Sequence, residues 1–587
     1  MITAIEIENF KAIGERVRVE LKSLTLIFGP NSAGKSTIIQ AIHYAREILE
    51  RHYLDPHRVA LGGDAIDLGG FENFVHNQDK GLPIRLRFDI DLTGSSLPVY
   101  RDEYIDDLDI EDTDVSRRFE ELFGRMSSAW AEIEVRWVDG LGIVVTKYTV
   151  GLNGRAVAAT KLDDYWMRLL FGIRVPGTSG GSEDDEIQRV LSEASAKIPP
   201  EQKHQLRSRS RFCVLDIDWS HPLLVADTGL LQALTELVSD FTAGEELQVE
   251  GRLERQIPSV LPQWEQVMSI EGYRAEAGRD TDYVYRWTAL CCGLSRMIVG
   301  PGELVRDELR KFRYLGPLRE MPSRGHKPLR FPAESSWAKG LAAWDALCQA
   351  DAGVTELARE SPTKEPMVAE PAAKQRDDAP APKDGHAGTL SIQEVNHWFD
   401  KRLKAGYEVR LKSCTEVDTQ AIPAPNADRK EIERFLEQLS NRATTRRVVL
   451  VADGQAIEVQ PHDVGTGVSQ LLPVVVLALD AQRSLVAIEQ PELHLHPALQ
   501  TELGDLFVES ALRRSNTLLI ETHSEHLILR LLRRIRETTL RPDQVSVIYV
   551  ENGEQGMKLS QLRIDESGEF IDRWPKGFFA ERRRELL

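Results

Sequence analysis

Three separated stretches of this 587-residue sequence hold residue types that can handle phosphate. The run GPNSAGKST supplies Gly29, Asn31, Ser32, Ala33, Gly34, Lys35, Ser36 and Thr37, and it matches the phosphate-binding loop pattern. Glycines let backbone N–H groups curl round phosphate oxygens, and the helix that follows turns its positive end toward them. Lys35 reaches the terminal phosphates and Ser36 can ligate magnesium. The second stretch begins at Asp463 and reads DVGTGVSQ. Gly465, Thr466, Gly467 and Ser469 there place small residues and hydroxyls at the start of an apolar helix, where they can grip a γ-phosphate. In the third stretch the strand LVAI runs into Glu489, Gln490 and Glu492, and the later strand TLLI ends at Glu521 and His523. Carboxylates at the end of a buried strand can hold magnesium or orient water, and a histidine at a strand tip can contact the same phosphate.

Such groups need a strand, loop, helix scaffold, and the hydrophobic patterning predicts one. ITAIEIENF and RVRVEL alternate, LTLIF is continuously apolar, and residues 38–52 repeat apolar positions at helical spacing. From about residue 84, IRLRFDIDL, AEIEVRWV and GIVVTKYTVGL predict an antiparallel sheet. Beyond residue 388 strands and helices alternate as in the second half of an α/β sheet. The expected divisions are 1–155 for the N-terminal half of the head, 156–312 for an inserted, mainly helical lobe and 313–358 for a return segment. A flexible linker follows at 359–388, rich in Pro, Ala and charge, and then the C-terminal half at 389–587. No heptad seam persists, so no long coiled coil is expected.

Composition narrows the class. With 42% apolar and 28% charged residues the chain reads as an ordinary globular protein. It has no uninterrupted apolar run of about 20 residues and no signal-peptide pattern, so a cytoplasmic protein that does not enter membranes is expected. A net charge of −19 argues against coating nucleic acid with the whole surface, which leaves local basic runs at 207–211, 533–536 and 582–584 against an acidic run at 102–114. Five cysteines lack paired metal-ligand spacing and are expected to be buried thiols.

Taken together, IENFKAIGE, GPNSAGKST, the degenerate glycine signature, IEQPELHLHP and IETHSEH resemble the SMC/RecF-type ABC ATPases of the AAA class, in the compact branch that includes the ATPase halves of the OLD nucleases. YLGPLRE, VNHW and WPKGFF resemble a less characterised subgroup of bacterial ATPases. The resemblance implies an α/β, ABC-type P-loop head with an inserted helical lobe, binding ATP and Mg2+ and pairing head to head as a homodimer or higher oligomer. The P-loop of one copy would face Gly465–Ser469 of the other. In that scheme Thr466 or Ser469 replaces the signature serine, His523 is the switch histidine, Phe10 and Lys11 flank the adenine, and Gln78 joins Ser36 and Glu489 at the metal. His494 and His496 would shape the dimer contact. One departure is evident: the family has Asp then Glu at the strand end, whereas here Glu489 takes the magnesium side and Gln490 the place of the base. A glutamine cannot accept that proton. Either Glu492 supplies the carboxylate, or hydrolysis is slow and ATP holds a dimer closed. The implied role is a nucleic-acid sensor, of DNA or RNA, or a regulator of a separate effector such as a nuclease in bacterial antiphage defence. The stretch after His523 is too short for a nuclease domain of the OLD kind. The other reading is a RecF-like DNA-maintenance ATPase acting without a nuclease partner.

Overall fold

The computed structural model describes residues 1–51, 65–101, 113–162, 213–239, 247–249, 252–254, 257–268, 281–324, 326–350, 390–415, 417, 422–424, 427–440, 445–452, 454, 457–553 and 556–575. The chain divides into two compact units, one of Met1–Phe312, Arg541–Asp565 and Glu569–Leu587, the other of Arg313–Leu540 and Glu566–Gly568. The first unit opens with β1 (Ile2–Glu8), β2 (Val17–Glu20), β3 (Leu24–Phe28) and α1 (Lys35–Arg51). It continues through β4 (Ile84–Asp91), α2 (Asp114–Gly124), β5 (Ser128–Val138), β6 (Gly142–Leu152), β7 (Arg155–Leu162), β8 (Cys213–Ile217), α3 (Thr228–Ser239) and β9 (Leu247–Val249). The hairpin of β10 (Arg252–Glu254) and β11 (Ile257–Ser259) precedes the long α4 (Thr281–Arg310). The second unit holds β12 (Arg313–Leu315), α5 (Leu341–Gln349), β13 (Tyr407–Cys414), α6 (Arg429–Ser440), β14 (Thr445–Ala452) and β15 (Glu458–Val459). Then come α7 (Thr466–Asp480), β16 (Leu485–Glu489), α8 (Pro497–Arg513), β17 (Thr517–Glu521) and α9 (Glu525–Arg536). The chain returns to the first unit for β18 (Val545–Gly553) and β19 (Gly556–Leu562). The α/β class expected from the sequence is what is observed.

In the first unit, eight antiparallel strands run in the order β2-β1-β4-β5-β6-β7-β8-β9. Period-two alternation makes this sheet two-faced. Along β4, Ile84, Leu86, Phe88 and Ile90 are buried, while Arg85 and Arg87 lie between them on the other face. That second face is a ladder of opposed charges: Arg85 meets Glu8 at 2.8 Å and Glu134 at 2.9 Å, and Arg16 reaches Glu8 at 3.0 Å and Glu132 at 2.8 Å. Helix α4 packs against β5, and the Tyr148 hydroxyl on β6 donates to the Ile298 carbonyl at 2.9 Å. Separately, the fully buried β3 pairs in parallel with β18, from Leu24 opposite Val545 to Phe28 opposite Tyr549, and β18 pairs antiparallel with β19.

The second unit sets β12, β16 and β17 in parallel, with Glu489 aligned opposite Glu521 at the strand ends. A smaller antiparallel sheet, β13-β14-β15, stands apart. The apolar α7 is buried throughout from Leu471 to Leu479. Asp505 on α8 gathers Arg402 at 3.0 Å, Arg530 at 2.8 Å and Arg534 at 2.6 Å. Part of the basic run at 533–536 is therefore committed to intramolecular pairs, with Arg533 on Glu537 at 2.7 Å.

Several sequence expectations are redrawn. The boundary at 155/156 falls at the start of β7, and β7, β8 and β9 extend the first-unit sheet, so residues 156–312 include strands that belong to it. Residues 389–587 do not form one unit, because β18 and β19 leave the second for the first. The reason is non-local pairing: β18 finds its parallel partner in β3, more than 500 positions away, and no local pattern encodes that. Cys213 and Cys291 are buried as expected, while Cys292, Cys348 and Cys414 are partly exposed. The linker 359–388, the basic runs 207–211 and 582–584 and the acidic run, apart from Thr113 and Asp114, lie outside the described residues. Among the described residues no helix is long and apolar enough to cross a membrane.

His43 on α1 supplies a test of how the helix behind the phosphate loop is held. Burial, and then the nearby charge of Arg46, depress its pKa from 6.5 to about 3, and its ring stands edge-on to Phe312 at 4.8 Å. Between those two pH values the unfolded chain binds the proton that the folded chain refuses. Stability contributed by neutral His43 is therefore lost as pH falls from 6.5 toward 3, by about 1.4 kcal/mol per unit. Urea midpoints measured from pH 4 to 7 are expected to fall less steeply on the acid side for His43→Leu than for the wild type. Parallel curves would remove this assignment.

Candidate nucleotide site

The phosphate loop belongs to the first unit. The fully buried strand β3 ends at Phe28, the chain comes to the surface at Pro30 just past the buried Gly29, and α1 starts at Lys35. Two glycines are required by geometry. Gly29 has φ +153°, and a Cβ there would sit 2.3 Å from the Val550 carbonyl oxygen. Gly34 has φ +90°, and its Cβ would meet the Ala12 methyl at 2.7 Å. Ser32, with φ 62°, also occupies the left-handed region, and with Asn31 it is exposed at the lip. Ala33 and Thr37 are buried, while Ser36 is half-buried at the helix start.

Lys35 is only 4% exposed, and its Nζ donates to the Gly29 carbonyl at 3.2 Å and the Pro30 carbonyl at 3.0 Å. The ammonium thus lies inside the ring of its own loop, beside the N-terminus of a 17-residue helix. A loop whose glycines leave no room for side chains, closed by a buried cation at a helix N-terminus, fits a polyphosphate. A magnesium ion riding on those phosphates fits the Ser36 hydroxyl.

The flanking residues are sorted differently from expectation. Phe10 is fully buried, stacked on Tyr44 at 5.8 Å and 26° and packed against Phe74 at 5.8 Å. Its ring is spent on the core and is not offered to an adenine, which corrects the sequence reading. Lys11 is half-buried in a left-handed turn, where burial lowers its pKa. Its N–H donates to Phe74 O at 2.7 Å, and its carbonyl lies 2.9 Å from His76 Nδ1. Next to it, Ala12 touches the loop at Gly34. Gln78 is exposed in the turn after His76, with φ 59°, and no described contact joins it to Ser36.

In the second unit, β16 carries Glu489 at its end, 7% exposed. The Tyr314 hydroxyl on β12 donates to Glu489 Oε1 at 2.9 Å. Burial first, and the Glu489 charge next, push the Tyr314 phenol well above its ordinary range, so it remains a donor. Gln490 then takes φ 45°, turning the chain so that its N–H donates to Glu521 O on β17 at 2.7 Å. That turn swings Glu492 back under the tip of β17. Its Oε1 accepts the His523 N–H at 2.7 Å, while Oε2 is withdrawn from solvent without a hydrogen-bond partner. Burial raises the Glu492 pKa, opposed by hydrogen bonds from the His523 N–H, its own N–H and the Thr522 hydroxyl, and by the Arg319 charge.

Gly465 is exposed as the N-cap of α7, and Gly467 is half-buried; Ser469 is 1% exposed and faces inward. The side chain of Thr466 lies outside what is described. His494 and His496 are exposed, and His496 Nδ1 accepts the Ala498 N–H at 3.2 Å to cap α8. Among the described residues no cluster of three or more His, Cys, Asp or Glu is arranged to hold a metal without a ligand. Sequence reasoning did not assign a role to Tyr314 or Arg319. Both lie in YLGPLRE, which marked a resemblance and carried no chemistry until burial gave it some.

Comparison with known proteins agrees with an ATPase core. Residues 1–79 match a family described as "AAA ATPase domain", and residues 367–530 match "AAA domain, putative AbiEii toxin, Type IV TA system". Residues 540–587 match a protein family of unknown function, DUF3696. No curated protein matches the chain significantly. Similar solved structures include an SMC head bound to the C-winged helix domain of ScpA, at 11% identity over 96% of this chain and 98% of that one, with a TM-score of 0.34. Another is the Pyrococcus furiosus SMC head domain with an extended coiled coil bound to the C-terminal domain of ScpA, at 12% identity over 96% of each chain and a TM-score of 0.34. A third is the SMC head domain from Thermotoga maritima, at 8% identity over 96% of this chain and 99% of that one, with a TM-score of 0.32.

The glycine geometry predicts the outcome of one substitution. Gly29→Ala combines a forbidden φ with a clash against backbone, which costs more than about 1 kcal/mol. The variant is expected to lose binding of a fluorescent ATP analogue and to melt at lower temperature, whereas Ser32→Ala at the exposed lip keeps the wild-type melting temperature. An unimpaired Gly29→Ala would contradict the loop geometry.

Proposed function

We propose that this chain binds and hydrolyses ATP, dimerises head to head, and acts as a nucleic-acid sensor or regulator of a separate effector, such as a nuclease, in bacterial antiphage defence. The observation that carries the hydrolytic part is Glu492, fixed through Oε1 by the His523 N–H with Oε2 unpartnered and its pKa raised by burial. A carboxylate so held has the basicity that Gln490 lacks. In this reading Lys35 and the loop N–H groups take the β- and γ-phosphates. Magnesium would be held by Ser36 and Glu489, with Gln78 a candidate third ligand, and would neutralise phosphate charge. Glu492 accepts the proton of the attacking water as the oxygen bonds to the γ-phosphorus and ADP departs with the electron pair of the broken bond. The N–H that orients Glu492 is His523's own, so the histidine ring stands beside the base to contact the γ-phosphate. The exposed start of α7 at Gly465 is the surface offered to a second copy, since Ser469 is buried. The defence role is supported by the AAA match described as an AbiEii-type toxin and by the sequence resemblance to OLD ATPases.

The test is ATP turnover with oligomer mass recorded for the wild type, Lys35→Ala and Glu492→Gln. Lys35→Ala is expected to lose nucleotide binding. Glu492→Gln is expected to keep it while turnover falls by about 10²–10⁴-fold, the usual contribution of a general base. A wild type that binds ATP and assembles without turnover would make ATP a clamp and exclude the Glu492 base. Pull-down of neighbouring gene products with ATP tests the effector. ATP-dependent, salt-sensitive DNA binding with no partner would favour the DNA-maintenance reading instead.

A further inference from the structure

Arg319 sits after β12 in the second unit and is 4% exposed. Its Nη2 donates to the carbonyls of Glu489 at 2.7 Å and Gln490 at 3.4 Å, and its Nη1 donates to the carbonyl of Gln470 at 3.3 Å. Gln470 returns a bond from its side-chain amide to the Arg319 carbonyl at 2.8 Å. One guanidinium therefore ties two places together: the first turn and a half of α7, and the end of β16 from which the chain turns into Glu492. Among the described residues no carboxylate stands within ion-pair distance of it. The nearby charges of Glu492 and Glu489 act on it from further away, and burial lowers its pKa to about 10. Backbone packing fixes its base, because Gly340, at φ +78°, leaves only 3.2 Å between its Cβ position and the Arg319 Cβ.

A buried cation without a contacting counter-ion is an expensive way to bridge two backbone segments. An apolar side chain would fill the space without that penalty, and a lysine would carry the charge without the planar fork. The fork is what allows both segments to be held at once, so a displacement of the α7 turn is passed to the β16 turn through a single rigid group.

We infer that Arg319 is a positioning residue that couples the first turns of α7 to the Glu492 carboxylate, so that what seats against the exposed start of α7 governs how well Glu492 is placed to act. This rests on the ATP-hydrolysis reading and adds its regulation. Movement of the Gln470 carbonyl carries the guanidinium with it, and the Glu489 and Gln490 carbonyls follow. Glu492, two residues on and anchored to His523, shifts with them.

The experiment compares Arg319→Lys and Gln470→Ala with the wild type, measuring ATP turnover, KM and analogue binding. Arg319→Lys is expected to lower kcat by about 10²-fold, the cost of a misplaced catalytic group, with KM and nucleotide affinity within about twofold of wild type. Gln470→Ala, which loosens the same tie from the helix side, is expected to show the same split to a smaller degree, and it keeps the test alive should Arg319→Lys not fold. Unchanged kcat in both, or a KM rise in step with the kcat loss, overturns the coupling while leaving the ATPase reading intact. If the wild type proves not to turn over ATP, the ATPase reading fails, and the tie is read from urea midpoints of Gln470→Ala, Glu492→Gln and the double variant. Shifts that are non-additive with Arg319 present and additive in the Arg319→Lys background support it; additivity in both backgrounds overturns it.

Discussion

The ends of buried parallel strands impose the main constraint on this molecule. A strand such as β3 or β16 is buried throughout, yet where it stops its last carbonyls must still be bonded, and a buried unbonded carbonyl costs free energy on the scale of a lost hydrogen bond. Each unit meets the demand with a long, nearly buried cation. In the first, Lys35 caps Gly29 and Pro30 at the end of β3; in the second, Arg319 caps Glu489 and Gln490 at the end of β16. The cation that satisfies the backbone is then in place to do something else. In the proposed reading, Lys35 meets phosphate and Arg319 holds the carboxylate turn.

The same constraint explains the acidic residues. Glu489 and Glu521 end adjacent parallel strands in register, and Glu492 is folded back beneath them. Glu489 and Glu492 are tolerated there because each accepts a donor or lies near a fixed positive charge: the Tyr314 hydroxyl for Glu489, the His523 N–H and the field of Arg319 for Glu492. Burial dominates at Glu492, which is why its pKa rises, and a carboxylate of raised pKa makes a better base. Position 490 is used for a left-handed turn whose N–H bonds to the Glu521 carbonyl, and in the proposed reading the carboxylate chemistry falls to Glu492, two residues along.

The aromatic cluster shows how burial overrides a sequence analogy. Phe10 stands where an adenine neighbour was expected, but Tyr44 on α1 and Phe74 enclose it, and the ring joins the N-terminal strand region to the helix behind the phosphate loop. Ser469 was a candidate for a hydroxyl offered to a second copy and is buried instead. In both cases residue type and spacing were right for the expected role. What decided the matter was which way the backbone turned the side chain.

The sequence alone determined the class of chemistry and the local devices that carry it. GPNSAGKST between an apolar run and a helical period specifies its own loop, because the glycines, the lysine and the helix start lie within nine positions and interact locally. The α/β alternation, the apolar strand ends at Glu489 and Glu521 and the two-faced antiparallel sheet were legible for the same reason: strand and helix periods are short-range signals. Only the tertiary structure decided the rest. That β18 returns to β3, that Arg319 reaches across to carbonyls some 150 to 170 positions away, that Glu492 lies under His523 and that Phe10 is core all depend on pairings between distant segments. Burial is a property of those pairings, and it is burial that turned ordinary arginine, tyrosine and glutamate positions into a site.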